Sequence, residues 1–176
     1  MVAQLEDLTV LVGDLVELAR GTEPSVELED VRLDEVVEET VALARRRSPG
    51  VRFTASLEPT VVRGVPSRLQ RAVGNLLDNA SKWSPAGEDV EVTLRNGELT
   101  VRDHGPGIDQ ADLPFVFDRF YRSASARGLP GSGLGLAIVR QVAESHGGRV
   151  GAETASGGGA LFRLSLPTVS GAQAHC

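Results

Sequence analysis

The chain has 176 residues, 41% of them hydrophobic and 24% charged, which suits one ordinary domain and argues against general disorder. The net charge of −6 disfavours nucleic-acid binding, and the short basic run Arg45–Arg47 is expected to end a helix, where cations favour the helix dipole. No apolar run approaches the roughly 20 residues that cross a bilayer, so no membrane contact is expected. The single cysteine, Cys176, fits a reducing, cytoplasmic compartment.

Residues 3–20 are predicted to form a helix that ends near Gly21. Its apolar residues recur three and four apart, as in a coiled-coil or bundle helix; they are Leu5, Leu8, Val12, Leu15 and Ala19, widened by Leu11 and Leu18. We expect this helix to pack against another chain, and the alternative is that it folds back on its own domain. The predicted organisation is a helix over 1–21, a polar linker over 22–30, a domain over 31–167 and a tail over 168–176.

The domain begins with one more helical face and then changes to strands. Leu33, Val36, Val37, Thr40, Val41 and Ala44 recur at helical spacing, whereas apolar residues alternate with polar ones near residues 51–57, 90–94, 99–103 and 162–166. Asn96-Gly97 predicts a hairpin between two of these strands. With helices at about 66–82 and 134–146, the pattern predicts an α/β (α+β) two-layer sandwich whose sheet is mixed or antiparallel and has one face in water.

Three polar residues share one face of the helix predicted over 66–82. Asn75 and Asn79 are four apart, and Lys82 is three further on. An amide oxygen suits Mg²⁺, and a lysine offers a point charge to phosphates. The alternative for such a face is simple solvation. Trp83 follows, either to stack on a base or to fill part of the core.

Asp103 interrupts the apolar side of its predicted strand. The alternation puts its carboxylate on the same buried face as Leu99 and Val101. A buried charge needs donors, and the exocyclic amine of adenine is one. Gly105 and Gly107 would let the backbone come close to the base. The alternative is a turn or capping role for Asp103, and His104 should face solvent on the opposite side.

Gly131–Leu136 is a glycine-rich segment that leads directly into a predicted helix, whose N-terminal N–H groups favour an anion. The segment lacks the Lys-Ser/Thr ending of a P-loop, and no strand directly precedes it, so it is not a dinucleotide-binding fingerprint. The small, polar stretch over 123–130 is expected to form a mobile lid. His146 is predicted to end the helix.

In this order, the segments resemble the boxes of the catalytic and ATP-binding domain of bacterial sensor histidine kinases, within the superfamily that includes gyrase B, Hsp90 and MutL. Asn75–Lys82 resembles the N box, Asp103–Gly107 the first glycine box, Phe115–Arg122 the F box and Gly131–Leu136 the second glycine box. Residues 122–127 are similar to the mycobacterial MprB subfamily. The resemblance implies the Bergerat (GHKL) ATPase fold, a mixed and mostly antiparallel sheet backed by about three helices.

The resemblance also implies a site for ATP and Mg²⁺. Asn79 would bind the metal, Asp103 the adenine, and Trp83 would stack on the base. Arg122 and Arg127 would reach the outer phosphates. The full implied set is Asn75, Asn79, Lys82, Trp83, Asp103, Gly105, Gly107, Ile108, Phe120, Arg122, Arg127, Gly131, Ser132, Gly133, Leu134 and Gly135.

One part of the family pattern has no counterpart. The phosphoacceptor histidine, followed by an acidic residue, Leu, Arg, Thr and Pro, is missing, and His104, His146 and His175 lack that context. The chain is therefore expected to be a kinase fragment whose first helix comes from a truncated dimerisation hairpin. Val65 is a smaller departure, because many relatives carry Asp there.

The expected function is to position Mg·ATP for phosphoryl transfer to a histidine on dimerisation helices, without a catalytic base in this chain. The full-length protein would be a membrane-bound homodimer that phosphorylates a response regulator. Two alternatives remain: an anti-sigma-factor serine kinase of the same superfamily, or a non-catalytic, nucleotide-responsive interaction module.

Overall fold

A computed structural model describes residues 2–20, 27–126, 128–129 and 131–169, and in the first helix only the side chains of 8, 9, 11–16, 18 and 19. Arg127, His175 and Cys176 lie outside these residues, as do most of the predicted linker and tail. The elements in chain order are α1 Val2–Arg20, β1 Glu29–Arg32, α2 Leu33–Arg47, β2 Arg52–Leu57, β3 Val61–Gly64, α3 Pro66–Trp83, β4 Asp89–Arg95, β5 Glu98–Arg102, α4 Gly135–Ser145, β6 Arg149–Thr154 and β7 Ala160–Ser165.

Five strands form the main sheet in the order β2-β4-β5-β7-β6. The β2–β4 pair is parallel and the other three pairs are antiparallel, so the predicted mixed, mostly antiparallel sheet is confirmed. The predicted hairpin between β4 and β5 is also present. Asn96 and Gly97 both have positive φ, 50° and 79°, as the tight turn requires.

The helices α2, α3 and α4 cover one face of this sheet, which makes the domain a two-layer sandwich. The apolar side of α3 is completely buried against the sheet, through Leu69, Val73, Leu76 and Ala80. Alternate residues of β4 and β5 meet these helices from below, with Val90, Val92, Leu94, Leu99 and Val101 at the centre of the core. The other face of the sheet carries charged side chains, among them the His104–Glu91 pair at 2.9 Å.

The sequence patterns missed three strands. β1 and β3 form a separate two-stranded antiparallel sheet, and β6 is an edge of the main sheet. Glu29 and Asp30 belong to β1, so the predicted linker extends two residues too far. At the other end, Thr168 bridges to Val62, so the start of the predicted tail is joined to the domain.

The first helix, α1, packs against α4. Leu18 is buried, and its backbone oxygen accepts a hydrogen bond from Gln141 Nε2 at 3.2 Å. The other side of α1 is open: Leu8, Val12, Leu15 and Val16 are exposed. One face of α1 is thus folded back on the domain, whereas the apolar stripe predicted to meet another chain remains uncovered in this single chain.

Among the described residues, no helix combines the length and the apolar character that crossing a membrane requires.

Candidate functional site

A cavity of about 300 Å³ lies between α3, α4 and the segment that joins β5 to α4. The C-terminal end of β5 and the N-terminal end of β7 form its base. This volume is at the small end of the range for ligand pockets. Asp103, directly after β5, lies on the floor of the cavity. The glycine-rich segment Gly131–Leu136, called the glycine loop below, leads into α4 and forms part of the wall.

The floor of the cavity holds a buried carboxylate with one unsatisfied oxygen. Asp103 is 1% exposed, and its Oδ1 accepts two backbone N–H groups, from Gly105 at 2.9 Å and from Ala160 at 3.0 Å. Its Oδ2 is buried and has no hydrogen-bond partner in the part of the chain described. An unpaired buried carboxylate oxygen is costly, and Asp103 lines the cavity, so this oxygen is the candidate acceptor for a donor bound there.

The backbone closes tightly around Asp103. A Cβ on Gly159, whose φ is +85°, would lie 1.8 Å from the carbonyl oxygen of Asp103. A Cβ on Gly105 would lie 2.5 Å from the carbonyl oxygen of Trp83. Glycine at both positions therefore lets three chain segments meet at the carboxylate. The preformed floor depends on the turn that precedes β7 as much as on the segment after β5.

The predicted polar face of α3 lines the next part of the cavity. Asn75, Asn79 and Lys82 all reach it, as spacing along the helix predicts. Asn75 Nδ2 donates to the carbonyl oxygen of Gly135 at 3.2 Å, which joins α3 to the start of α4. Burial, with a smaller contribution from the positive charge of Arg122, lowers the pKa of Lys82. Among the described lining residues, Lys82 and Arg122 are the cations, and the same cavity is also lined by the aspartates Asp14, Asp78, Asp103, Asp109 and Asp112.

The glycine loop brings backbone donors to the same place. The φ of Gly133 is +74°, and a Cβ there would lie 2.9 Å from the carbonyl carbon of Phe120, so glycine permits the tight turn. Ser132 Oγ accepts the N–H of Leu134 at 3.2 Å. The helix begins immediately afterwards, and Gly135 and Leu136 line the cavity at its N-terminus. Free N–H groups there suit a phosphate.

The segment before the glycine loop forms the remaining wall. The guanidinium of Arg122 lines the cavity and donates to two backbone oxygens of the same segment, Ala126 at 2.6 Å and Leu129. Asp118 pairs with Arg140 of α4 at 3.2 Å, and the Tyr121 hydroxyl donates to Asp112 at 2.5 Å. These contacts hold the segment against α4 and place its basic residue at the cavity.

Most of the predicted site residues meet at this cavity. Those that line it are Asn75, Asn79, Lys82, Trp83, Asp103, Gly107, Ile108, Arg122, Gly131, Ser132, Gly133 and Gly135. Gly105 lies behind Asp103 and donates to it. The side chains of two others are elsewhere: Phe120 is 60% exposed, and Leu134 is completely buried in the core. Arg127 lies outside the described residues.

Several residues of the cavity wall were not predicted from sequence, and two of them make contacts that shape the site. Ala160 supplies the second N–H to Asp103, and Asp14 of α1 reaches the wall of the cavity. The run Gly157–Gly159 could have indicated that the backbone comes close to another segment there, but that segment, at Asp103, is far away in sequence. For Asp14, the only indication was a charge on the side of α1 that packs on α4.

A larger cavity of about 670 Å³ lies between α1, α2 and α3. It shares Asp14, Asn75 and Asp78 with the first cavity, but neither Asp103 nor the glycine loop lines it. The smaller cavity is the better candidate site because it alone combines an unsatisfied buried acceptor with backbone donors and cations.

Comparison with known proteins identifies the family of the chain. The family model for histidine kinase-, DNA gyrase B- and HSP90-like ATPases matches residues 64–170. A signal transduction histidine-protein kinase/phosphatase MprB of Mycobacterium avium (strain 104) is 47% identical over 95% of this chain and 34% of its own length. The chain thus spans about a third of the length of the curated relatives it matches.

Solved structures give the same picture. A mycobacterial sensor histidine kinase MprB is 44% identical and aligns with a TM-score of 0.74 over 80% of this chain and 98% of that one. Full-length ShkA in complex with AMPPNP is 26% identical, with a TM-score of 0.77 over 93% of this chain and 36% of that one. The chain belongs to the histidine kinase-, DNA gyrase B- and HSP90-like ATPase family, as an ATP-binding catalytic domain of the sensor histidine kinase type.

Proposed function

We propose that this domain binds Mg·ATP in the smaller cavity and presents the γ-phosphoryl group to a histidine of a sensor kinase. The observation that carries the proposal is the unpaired Oδ2 of Asp103, buried at the closed end of the cavity. The exocyclic amine of adenine is a donor of suitable size and chemistry for this acceptor. The base then lies near Trp83, and the phosphates extend towards the glycine loop.

The phosphate end matches the charge of a nucleotide. Lys82 and Arg122 supply positive charge, and the backbone N–H groups at the start of α4 supply neutral donors. Asn79 is the residue that we assign to Mg²⁺, which prefers oxygen ligands and, when bound, neutralises charge that develops on the phosphates. Catalysis then depends on positioning and on these charges, with no general base from this chain.

The acceptor and the partners follow from the type of protein to which the chain is similar. A histidine on dimerisation helices would receive the phosphoryl group, and a response regulator would receive it next. The exposed apolar residues of α1 support a place for this helix beside a second helix of a homodimeric kinase; they are Leu8, Val12, Leu15 and Val16. By the same likeness, the full-length protein would be anchored in the cell membrane with this domain in the cytoplasm.

The two alternatives have less support. Curated relatives 47–48% identical to the chain are named signal transduction histidine-protein kinase/phosphatase, which disfavours an anti-sigma-factor serine kinase. A non-catalytic, nucleotide-responsive interaction module could use the same cavity. It becomes the better interpretation if no phosphoryl transfer to a histidine occurs.

Calorimetric titration of Mg·ATP into the chain and into Asp103→Asn tests the proposal. The amide keeps an oxygen for the N–H groups of Gly105 and Ala160 but turns an NH₂ group towards the amine of the base. We expect affinity to fall by about 100-fold, because a charged hydrogen bond is replaced by two opposed donors. Asp89→Asn, on β4 and outside the cavity, is the matched control and should bind normally.

Thermal unfolding of the nucleotide-free variants separates binding from folding. Asp103→Asn removes an unpaired buried charge, so its melting temperature should be at least that of the unsubstituted chain. A folded chain that binds no Mg·ATP would overturn the proposal. Acid-labile transfer of phosphate to the dimerisation helices of the M. avium relative would support the kinase reading, and acid-stable phosphoserine would favour the anti-sigma alternative.

A further inference from the structure

The first helix contributes a buried carboxylate to the phosphate end of the proposed site. Asp14 is 4% exposed, although the residues around it on the open side of α1 are exposed. The side chain lies on the wall shared by the two cavities, beside Asn75 of α3. A buried acid at this position needs partners, and it has two.

Both oxygens of Asp14 are used within the protein. Oδ1 forms an ion pair with Arg71 of α3, and Oδ2 accepts a hydrogen bond from Ser132 Oγ at 3.3 Å. The serine oxygen in turn accepts the N–H of Leu134 at the start of α4. A chain of contacts therefore runs from α1 through the glycine loop to the helix terminus that we assign to phosphate.

This arrangement conflicts with a bound triphosphate. A nucleotide would place several negative charges near the glycine loop, on the same cavity wall as the Asp14 carboxylate. Like charges in one partly buried site repel each other, and the ion pair with Arg71 offsets only part of this repulsion. The hydroxyl of Ser132, which could donate to a phosphate oxygen, instead donates to Asp14.

We propose that Asp14 is a latch by which docking of α1 opposes nucleotide binding. With α1 docked, the carboxylate engages Ser132 and weakens the affinity of the glycine loop for the triphosphate. Binding of Mg·ATP, in return, loosens α1 from α4 by the same factor, because the coupling between two sites is reciprocal. The inference rests on the proposed nucleotide site and adds a regulatory contact to it.

The consequence is a link between the position of α1 and the state of the site. A movement of α1 that withdraws Asp14 frees Ser132 and removes one negative charge from the cavity. Leu18 and Gln141, which hold the same helix on α4, would separate in the same movement. The domain would then bind nucleotide more tightly without any change in the residues that contact it.

Calorimetry with Asp14→Asn tests the latch. The amide removes the charge and keeps the shape, and Arg71 is exposed enough to be hydrated without its partner. We expect the affinity for Mg·ATP to rise about tenfold, whereas the affinity for adenosine, which has no phosphates, should not change. Glu144→Gln, on the exposed side of α4, removes one charge outside the cavity and should leave both affinities unchanged.

Hydrogen exchange gives a second readout. Mg·ATP should speed amide exchange in α1 of the unsubstituted chain, and Asp14→Asn should show fast exchange there even without nucleotide. Equal Mg·ATP affinities for Asp14→Asn and the unsubstituted chain would overturn the latch and leave the nucleotide site intact. Weaker binding by Asp14→Asn with Mg²⁺ but not with EDTA would also overturn it, since the carboxylate would then be a metal ligand. Loss of binding in every chain would instead reject the proposed function.

Discussion

The two ends of the cavity are built differently. At the closed end, backbone groups from the segment after β5 and the start of β7 hold one oxygen of the Asp103 carboxylate, and the other has no partner among the residues that the structure describes. At the open end, the polar side chains of Asn75, Arg122 and Ser132 are bonded to other parts of the protein. In the proposed function, the closed end would receive the base without rearrangement, whereas the open end would exchange contacts within the protein for contacts with phosphate.

This difference has a physical cause. Backbone donors within a sheet are fixed by the ladder on either side and cost little further entropy when a ligand arrives. Long side chains on loops have many rotamers and find partners of their own when no ligand is present. In the proposed site, affinity for the base would therefore depend on the fold, and affinity for the phosphates would depend on side-chain contacts such as that of Asp14 with Ser132.

The largest effect should come from Gly159→Ala, at the closed end. The new Cβ would overlap the carbonyl oxygen of Asp103 at 1.8 Å, and the residue would keep a φ near +85°. We expect a loss of more than about 3 kcal/mol in the free energy of unfolding, measured with urea, and loss of adenosine binding. Gly158→Ala has a similar φ of +98° but open space, so it should cost only about 1–2 kcal/mol. Equal losses in the two variants would contradict a tight closure around Asp103.

Arg122→Ala should affect the open end only. We expect Mg·ATP affinity to fall about tenfold, the value of one charge-assisted hydrogen bond, with adenosine affinity unchanged. Arg119→Ala, at an exposed position outside the cavity, is the control. If adenosine binding weakened as much as ATP binding, Arg122 would act by holding its segment in place and not by contacting phosphate.

The smallest effect should come from His146, which follows the C-terminal end of α4 and joins it to the residue before α3. His146 Nε2 accepts the N–H of Val65 before α3 at 3.1 Å, and Nδ1 donates to the carbonyl oxygen of Val142 at 2.7 Å, which requires the neutral imidazole. Burial lowers the pKa of His146 below its ordinary value of 6.5. Since the folded protein favours the neutral form, stability is complete above pH 6.5 and should decline as the pH falls through the lowered pKa.

Urea unfolding of the unsubstituted chain and of His146→Gln between pH 5 and 8 measures this dependence. At pH 8, the free energy of unfolding of His146→Gln should be lower by about 1 kcal/mol, because the hydrogen bond to Val65 is lost. Below pH 6.5, its free energy of unfolding should fall less than that of the unsubstituted chain, because the histidine no longer contributes to the decline. His104→Gln, on the open face of the sheet, should keep the decline. A parallel decline in all three proteins would assign the pH dependence to other groups.

The parts of the molecule that sequence could predict are those whose pattern is local. Alternation and helical spacing indicated β2, β4, β5, β7 and the four helices, and the spacing of Asn75, Asn79 and Lys82 indicated one polar face. β1 is mostly charged, β3 has only four residues and β6 is an interrupted edge strand, so none shows a clear period. These strands form because a partner strand lies beside them.

The same distinction applies to the site. The inward direction of Asp103 follows from the period of its own strand. The identity of its second backbone donor, 57 residues later, does not, because only the sheet order brings β7 beside β5. The contact of Asp14 with a loop 118 residues away is equally remote in sequence. Long-range contacts of this kind determine which oxygen of Asp103 is bonded to the backbone and whether the Ser132 hydroxyl is already bonded within the protein.

The bond between Asp103 and Ala160 also has a consequence for how the protein is made. During synthesis, residue 160 leaves the ribosome well after the N box, the first glycine box and the glycine loop. Until it does, the carboxylate lacks one of its two backbone donors, and the floor of the pocket is unfinished. The proposed adenine contact would thus be completed only once β7 is in place, and because a ligand stabilises only the state that binds it, ATP would favour chains in which β7 has formed.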